Sequence, residues 1–386
     1  MSVVTRSGNV AVGSSLQDQT EPLLRSEMPE LDAIRGVAIL GVLLYHGLYW
    51  GLDLSHFSKF ERAVLTGMWL GRLGVNLFFV LSGFLITGLL IDARNKPKYY
   101  SRFYIRRGLR ILPAYSLTIL ILFVTRYAPL KFIVLSVLYL SNLTPLFGVT
   151  IAYPVLWSLA VEEHFYFLWP LAVRRWANGV LLLLLGFVII FSPAFRLISF
   201  YLARSNGFVS YVCNDYTWNA LDGLACGGVL AILLRQLKPS RAVFRKALIV
   251  ILGTALVVWI IGIPFGIVTR QKPVGAALQV TPWQFLFAAL IGLCLLVGSG
   301  PQKRFVQVKS LQFLGEVSYG LYLYHLLIFA LFDHFVKNTG ISSTIDPFFV
   351  LLTRLLIVSA IAITASFLSR RLFEDRFLNL KRKLAP

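Results

Sequence analysis

No stretch of this 386-residue chain between its apolar runs is long and polar enough to build a water-soluble domain. Charge is scarce: Asp, Glu, Lys and Arg make up 14% of the residues, against about 25% in soluble domains. Acidic residues are rarest, 17 against 37 Lys and Arg, for a formal net charge of +20. Cysteine occurs only at Cys213, Cys226 and Cys294, without pairing or metal-ligand spacing. A disulfide framework and a thiolate metal site are therefore excluded, and the three read as plain apolar residues. No H-E-x-x-H pair is present, so no metal is expected. Residues 1–28 hold no apolar stretch of the kind that fills a signal peptide, and read as a polar cytoplasmic tail. No internal repeat is evident.

What is there is hydrophobic: 57% of residues, with a mean hydropathy of +0.74. Apolar runs of spanning length recur from residue 31 to 372, which predicts an all-α polytopic membrane protein. Spans are expected near 31–50, 73–91, 108–126, 155–173, 179–199, 218–235, 247–266, 281–299, 312–335 and 347–369. The piece 131–148 is short and ends in Asn142, Thr144, Pro145 and Gly148. If it does not cross, Arg94, Lys96, Lys98, Arg102, Arg106, Arg107 and Arg110 share one side with the later basic groups at 174–175, 235–246, 303–309 and 370–383. The positive-inside rule then favours ten spans, a re-entrant or interfacial 131–148, and both termini in the cytoplasm. The same placement reads the positive charge as a topology signal, so no nucleic-acid partner is expected.

Ionisable residues inside such spans are costly and point to function. Arg35 and His46 lie eleven residues apart in LDAIRGVAILGVLLYHGLYW (31–50). That spacing is about 16.5 Å and nearly three turns of helix, so both occupy one face, Arg35 near one surface and His46 deep in the span. In YYSRFYIRRGLRILPAY (99–115), Arg102, Arg106 and Arg110 recur at i, i+4, i+8, with Arg107 beside them. Singly, each arginine is explained as a membrane-surface anchor. Together, on the side of Arg35, they suit a phosphate. VLWSLAVEEHFYFLWP (155–170) carries Glu162 and Glu163, with Ser158 one turn before Glu162; structural pairing with arginines is the plain alternative. Weaker candidates are Asp222 in a Gly-rich span, Asn76 and Ser82, and Tyr319, Tyr322 and His325 in GEVSYGLYLYHLLI (315–328). Arg354 in the last span is expected to pair with a carboxylate.

These segments resemble the acyltransferase 3 family of integral membrane acyltransferases. The matching pieces are LDAIRG with LLYH, GVNLFFVLSGFLIT, FYIRRGLRILPAY, WSLAVEEHFYFLWP, LDGLACGGVLA, SYGLYLYHLLI and RRLFEDRFLNLKRK, in family order across about 31–383. The resemblance implies transfer of an acyl group, often acetyl, from acyl-CoA to a hydroxyl of a carbohydrate or glycoconjugate outside the cytoplasm. Acyl-CoA is then a donor substrate and no cofactor is bound. By position, Arg35 and His46 match the family's Arg/His motif, Arg106, Arg107 and Arg110 its arginine motif, and Glu162 and Glu163 its Glu-Glu pair. Two positions depart from the pattern: His164 stands where Gln is usual, and Ala220 stands two residues before Asp222 where Arg is common.

The expected organisation is a tail over 1–28, a transmembrane acyltransferase domain over 29–372 and a basic cytoplasmic tail over 373–386, in the cell (inner) membrane among its lipids. His46, Glu162 and Glu163 are the expected catalytic residues, with a glutamate orienting the imidazole. Arg35, Arg106, Arg107 and Arg110 are the expected donor-binding residues. Ser158, Asp222, Tyr322 and His325 are candidates for acceptor contact or support. A transporter of an anionic solute is the competing reading. The lack of paired, broken helices and the gathering of arginines at one face count against it.

Overall fold

A computed structural model describes residues 23–25, 27–206, 215–300, 302–339 and 346–384, and these form helices and turns without a strand. Most of the expected tail 1–28, and Cys213, lie outside the described residues. Helix α1 (Pro29–Leu48) opens on proline, whose missing N–H costs nothing in a first turn, with Glu30 and Asp32 at the positive end of the helix dipole. Helix α2 (Lys59–Gly67) starts in a capping box between Ser58 and Glu61. A 3-10 turn (Met68–Leu73) leads directly into α3 (Gly74–Ala93).

There follow α4 (Tyr99–Val124), α5 (Leu130–Val137), α6 (Leu156–Arg175), α7 (Asn178–Asn206), α8 (Thr217–Leu237) and α9 (Arg241–Gly262). The chain closes with α10 (Pro273–Leu278), α11 (Thr281–Gly298), α12 (Lys309–Thr339), α13 (Pro347–Ser369) and, after a single π turn, α14 (Asp375–Leu384).

Among the described residues, nine helical stretches are long and apolar enough to cross a membrane. Helix α6 has the length, 20 residues, but carries Glu162, Glu163, Arg174 and Arg175 and is not among the nine. The piece 131–148 does not span: α5 has only 8 residues and is followed by a 3-10 turn at Thr144–Phe147. Helix α4 begins about two turns before the hydropathic run, so the whole arginine stripe is helical.

Two close helix contacts set the frame. Helix α1 packs most extensively on α12, and α3 on α8. A methyl group at Gly36 would lie 2.1 Å from the Leu311 carbonyl oxygen, and one at Gly315 would lie 1.9 Å from that of Asp32. Between α3 and α8 the corresponding pair is Gly83 against Leu224 and Gly227 against Val80. Without a hydrophobic drive between helices in lipid, such small-residue contact is what lets backbones approach. The α1–α12 contact is also what brings residues 46 and 325 together.

Ion pairs tie other helices. Arg354 of α13 meets Asp333 of α12 at 2.6 Å, a carboxylate as expected from sequence, which did not say which one. Asp222 of α8, fully buried, takes Arg196 of α7 at 3.0 Å. The arginine missing beside Asp222 in the chain is thus supplied by another helix.

Candidate functional site

Helices α3, α4, α6 and α12 enclose a cavity of about 830 Å³. One end is basic. Arg35, Arg102, Arg106, Arg107 and Arg110 line it, together with Lys96, Arg235 and Arg25. The α4 stripe turns inward because every fourth residue falls on one helix face. Arg35 is held at 2.6 Å by Asp32, one turn earlier. Arg110 lies within electrostatic reach of Arg35, Arg107 and Arg370. Like charges gathered this closely repel, and an anion between them relieves the repulsion.

Farther along, Glu162 and Glu163 form part of the cavity wall. Arg107 faces both, at 3.9 Å from Glu162 Oε2 and 3.9 Å from Glu163 Oε1. Its guanidinium also lies 3.5 Å over the Tyr166 ring. Ser82 of α3 donates to Glu162 Oε1 at 2.7 Å. The structure therefore brings the glutamates to the arginine stripe and does not join them to His46 by any described bond. Phe78, Ser158 and Tyr322 also line the cavity, and the Tyr322 and Ser158 hydroxyls are 2.6 Å apart.

Behind Tyr322 stands a histidine pair. His325, one turn on in α12, places its Nε2 3.2 Å from His46 Nδ1, and the Tyr322 and His325 rings are 5.9 Å apart. Carbonyl partners assign the protons. His325 Nδ1 is 3.0 Å from Leu321 O and must donate to it, so its Nε2 can only accept. His46 Nδ1 is 3.0 Å from Val42 O and carries the hydrogen shared with His325. The lone pair of neutral His46 is then on Nε2, the tautomer a general base needs. Arg354 braces the same turn by donating to Gly47 O at 2.8 Å.

The remaining candidates are structural in their contacts. Asp222 is bound by Arg196, Thr281 and the Gly223 amide. It does not line the cavity. His164 bonds Thr217 Oγ1 at 2.7 Å, and Asn142 donates to the same hydroxyl at 2.9 Å, pinning the segment after α5 to α6 and α8.

One polar group escaped sequence reasoning. Arg72 and Arg270 both reach the side-chain oxygen of buried Gln279, at 2.9 and 3.2 Å, with Asp215 nearby. Burial pushes the Asp215 carboxyl up to about 6, against the pull of Arg270 and Arg72. These residues lie in four separate parts of the chain, and only an arginine at the head of a span hinted at them.

Comparison with known proteins bears on this site. A family model described as an acyltransferase domain (Acyl_transf_3) matches residues 28–371. The peptidoglycan O-acetyltransferase OatA of Listeria monocytogenes is 28% identical over 337 residues, covering 80% of this chain and 50% of the relative. The O-acetyltransferase OatA of Staphylococcus aureus is 26% identical over 369 residues, covering 85% of this chain and 55% of the relative. The chain thus spans about half the length of the curated relatives it matches. No solved structure matches significantly.

Proposed function

The chain belongs to the acyltransferase 3 family, and from that premise we propose that it transfers an acetyl group from acetyl-CoA to a hydroxyl of a cell-envelope carbohydrate. The observation that carries this reading is a cavity lined by the arginines and by Tyr322, whose ring is 5.9 Å from that of His325 in the His46–His325 pair. A volume of about 830 Å³ falls within the usual range for cofactor-sized ligands.

In this reading the donor enters from the cytoplasm, where the basic loops belong by the positive-inside rule, and both termini lie there too. Arg35, Arg106, Arg107 and Arg110 hold the phosphates of CoA, as bidentate guanidiniums suit. Glu162 and Glu163 fix Arg107 and keep its plane in the cavity wall. The pantetheine arm lies along the cavity and presents the thioester at Tyr322. His46 Nε2 takes the proton of the acceptor hydroxyl, whose oxygen attacks the thioester carbonyl. The C–S bond breaks, and the CoA thiolate leaves with that proton available to it. Tyr322 and Ser158 are the hydroxyls nearest the developing oxyanion.

The test uses purified protein in liposomes with labelled acetyl-CoA. His46→Ala should bind the donor normally and lose transfer by ~10²–10⁴-fold, the usual worth of a positioned base. Arg110→Ala should raise the KM for acetyl-CoA with little effect on kcat. Wild-type turnover in His46→Ala would end the assignment of the base. An anion carrier is the competing reading, and it predicts solute uptake without release of CoA.

A further inference from the structure

An acceptor hydroxyl at His46 belongs to a sugar ring, and that ring needs a support beside the base. The end of α1 offers one. Tyr45 O takes the N–H of both Tyr49 and Trp50, at 3.0 and 2.9 Å, which closes the helix. Gly51, at φ +73°, then turns the chain away, in a conformation suited to glycine. Trp50 thus falls one helical turn after His46 on the same face, and the two rings stand 5.6 Å apart at 73°.

Trp50 is 49% exposed, and His46 is the one ring it touches among the described residues. The other ring neighbours of His46 are accounted for. Tyr45, at 4.9 Å, is stacked on Tyr49, and His325, at 4.9 Å, is buried. His46 itself is half-buried, and both its described hydrogen bonds use Nδ1. Its Nε2, the nitrogen with the lone pair, has no partner among the described residues. Beyond Trp50 the chain runs through exposed Gly51, Asp53, Ser55 and His56, so the half-exposed indole borders a polar loop. An anchoring role at the membrane surface explains the exposure of a tryptophan here. It does not explain an indole held against the imidazole.

We propose that Trp50 is the platform on which the pyranose ring of the acceptor stacks, so that one of its hydroxyls is presented to His46 Nε2. The inference rests on the acyl-transfer reading for the role of His46. It adds that the acceptor is recognised through the flat face of a sugar ring. A pyranose is apolar on its faces, where C–H bonds point, and polar round its rim, where the hydroxyls radiate. An indole, negative on its face, suits those C–H groups and leaves the rim hydroxyls free for the base. A hydroxyl in hydrogen-bond reach of Nε2, at about 2.7 Å, brings the rest of its ring close to the imidazole. Of the three rings that flank the imidazole, Trp50 is the most exposed.

Liposomes holding the full chain and acetyl-CoA would be given an oligosaccharide of β-linked N-acetylhexosamines, and CoA release and sugar acetylation would be followed. Trp50→Ala should raise the KM for the oligosaccharide ~10-fold or more, the worth of a lost aromatic contact. Its kcat and its KM for acetyl-CoA should stay near those of the parent. Trp50→Phe should recover most of the loss. Trp50→Leu, apolar but without a π face, should not. An unchanged acceptor KM in Trp50→Ala, or rescue by leucine as full as by phenylalanine, reduces Trp50 to a membrane anchor and overturns the inference while acyl transfer stands. A fall in kcat with the acceptor KM in place overturns it too, because Trp50 then props His46 rather than the sugar. A parent that binds acetyl-CoA and acetylates no sugar takes down the acyl-transfer reading and the inference with it.

Discussion

At the scale of single residues, the decisive feature is how His46 is held. Two carbonyls and one imidazole settle its tautomer, and neither carboxylate of the Glu162–Glu163 pair takes part. His325 therefore acts as a positioning residue in the proposed mechanism. His325→Ala should lower kcat ~10-fold or more, leave the acetyl-CoA KM in place and shift the pH profile of kcat, because the His46 ring loses its orienting acceptor. His325→Gln, with a carbonyl oxygen in reach, should restore most of the rate. Loss without a changed pH profile and without rescue would reduce His325 to packing. His46 and the arginine stripe were legible because charge in an apolar run stands out. The proton logic was not, since it depends on ring contacts between residues 279 positions apart.

Hydropathy located the helices because a span must bury its backbone polar groups internally, which forces one long apolar helix per crossing. It failed where polar residues face inward. The hydropathic run of α4 starts only at 108, and the helix before it was legible from the i, i+4, i+8 arginines instead; the Arg196 partner of Asp222 was out of reach because it comes from another helix. The small residues were visible as candidates for tight contact, and α3 against α8 shows what they do. At Gly227 an added methyl would lie 1.9 Å from Val80 O and 2.6 Å from Phe84 N, both backbone atoms that cannot step aside. At neighbouring Gly228 it would meet only the side chains of Leu185 and Thr87, at 3.0 and 3.1 Å. Gly227→Ala should cost about 1–3 kcal/mol as an overpacked helix contact, and Gly228→Ala distinctly less. Thermal unfolding in detergent compares them, and equal losses would contradict the contact geometry.

Across the whole molecule, the arginine-lined cavity and the Arg72–Arg270–Gln279 cluster are built by different parts of the chain. The Arg72–Arg270–Gln279 cluster has a titratable group in range. Asp215 faces Arg72 and Arg270, with Tyr45 and Tyr322 also in electrostatic contact. Below about 6 its carboxyl is neutral and the arginines present their full charge; above about 6 it supplies a competing negative charge.

The Tyr322–Ser158 pair in the cavity lining has a consequence for the proposed reaction. A cavity open from the basic mouth to the outer face would be a conduit, and each charge crossing it would dissipate about 2.3 kcal/mol per 100 mV of membrane potential. Tyr322 and Ser158, whose hydroxyls are 2.6 Å apart, stand in the cavity lining with the Phe78 ring, uncharged groups that offer a passing ion no counter-charge. In the proposed reaction the group handed on is an acetyl without net charge, so the transfer itself costs the membrane none of its voltage.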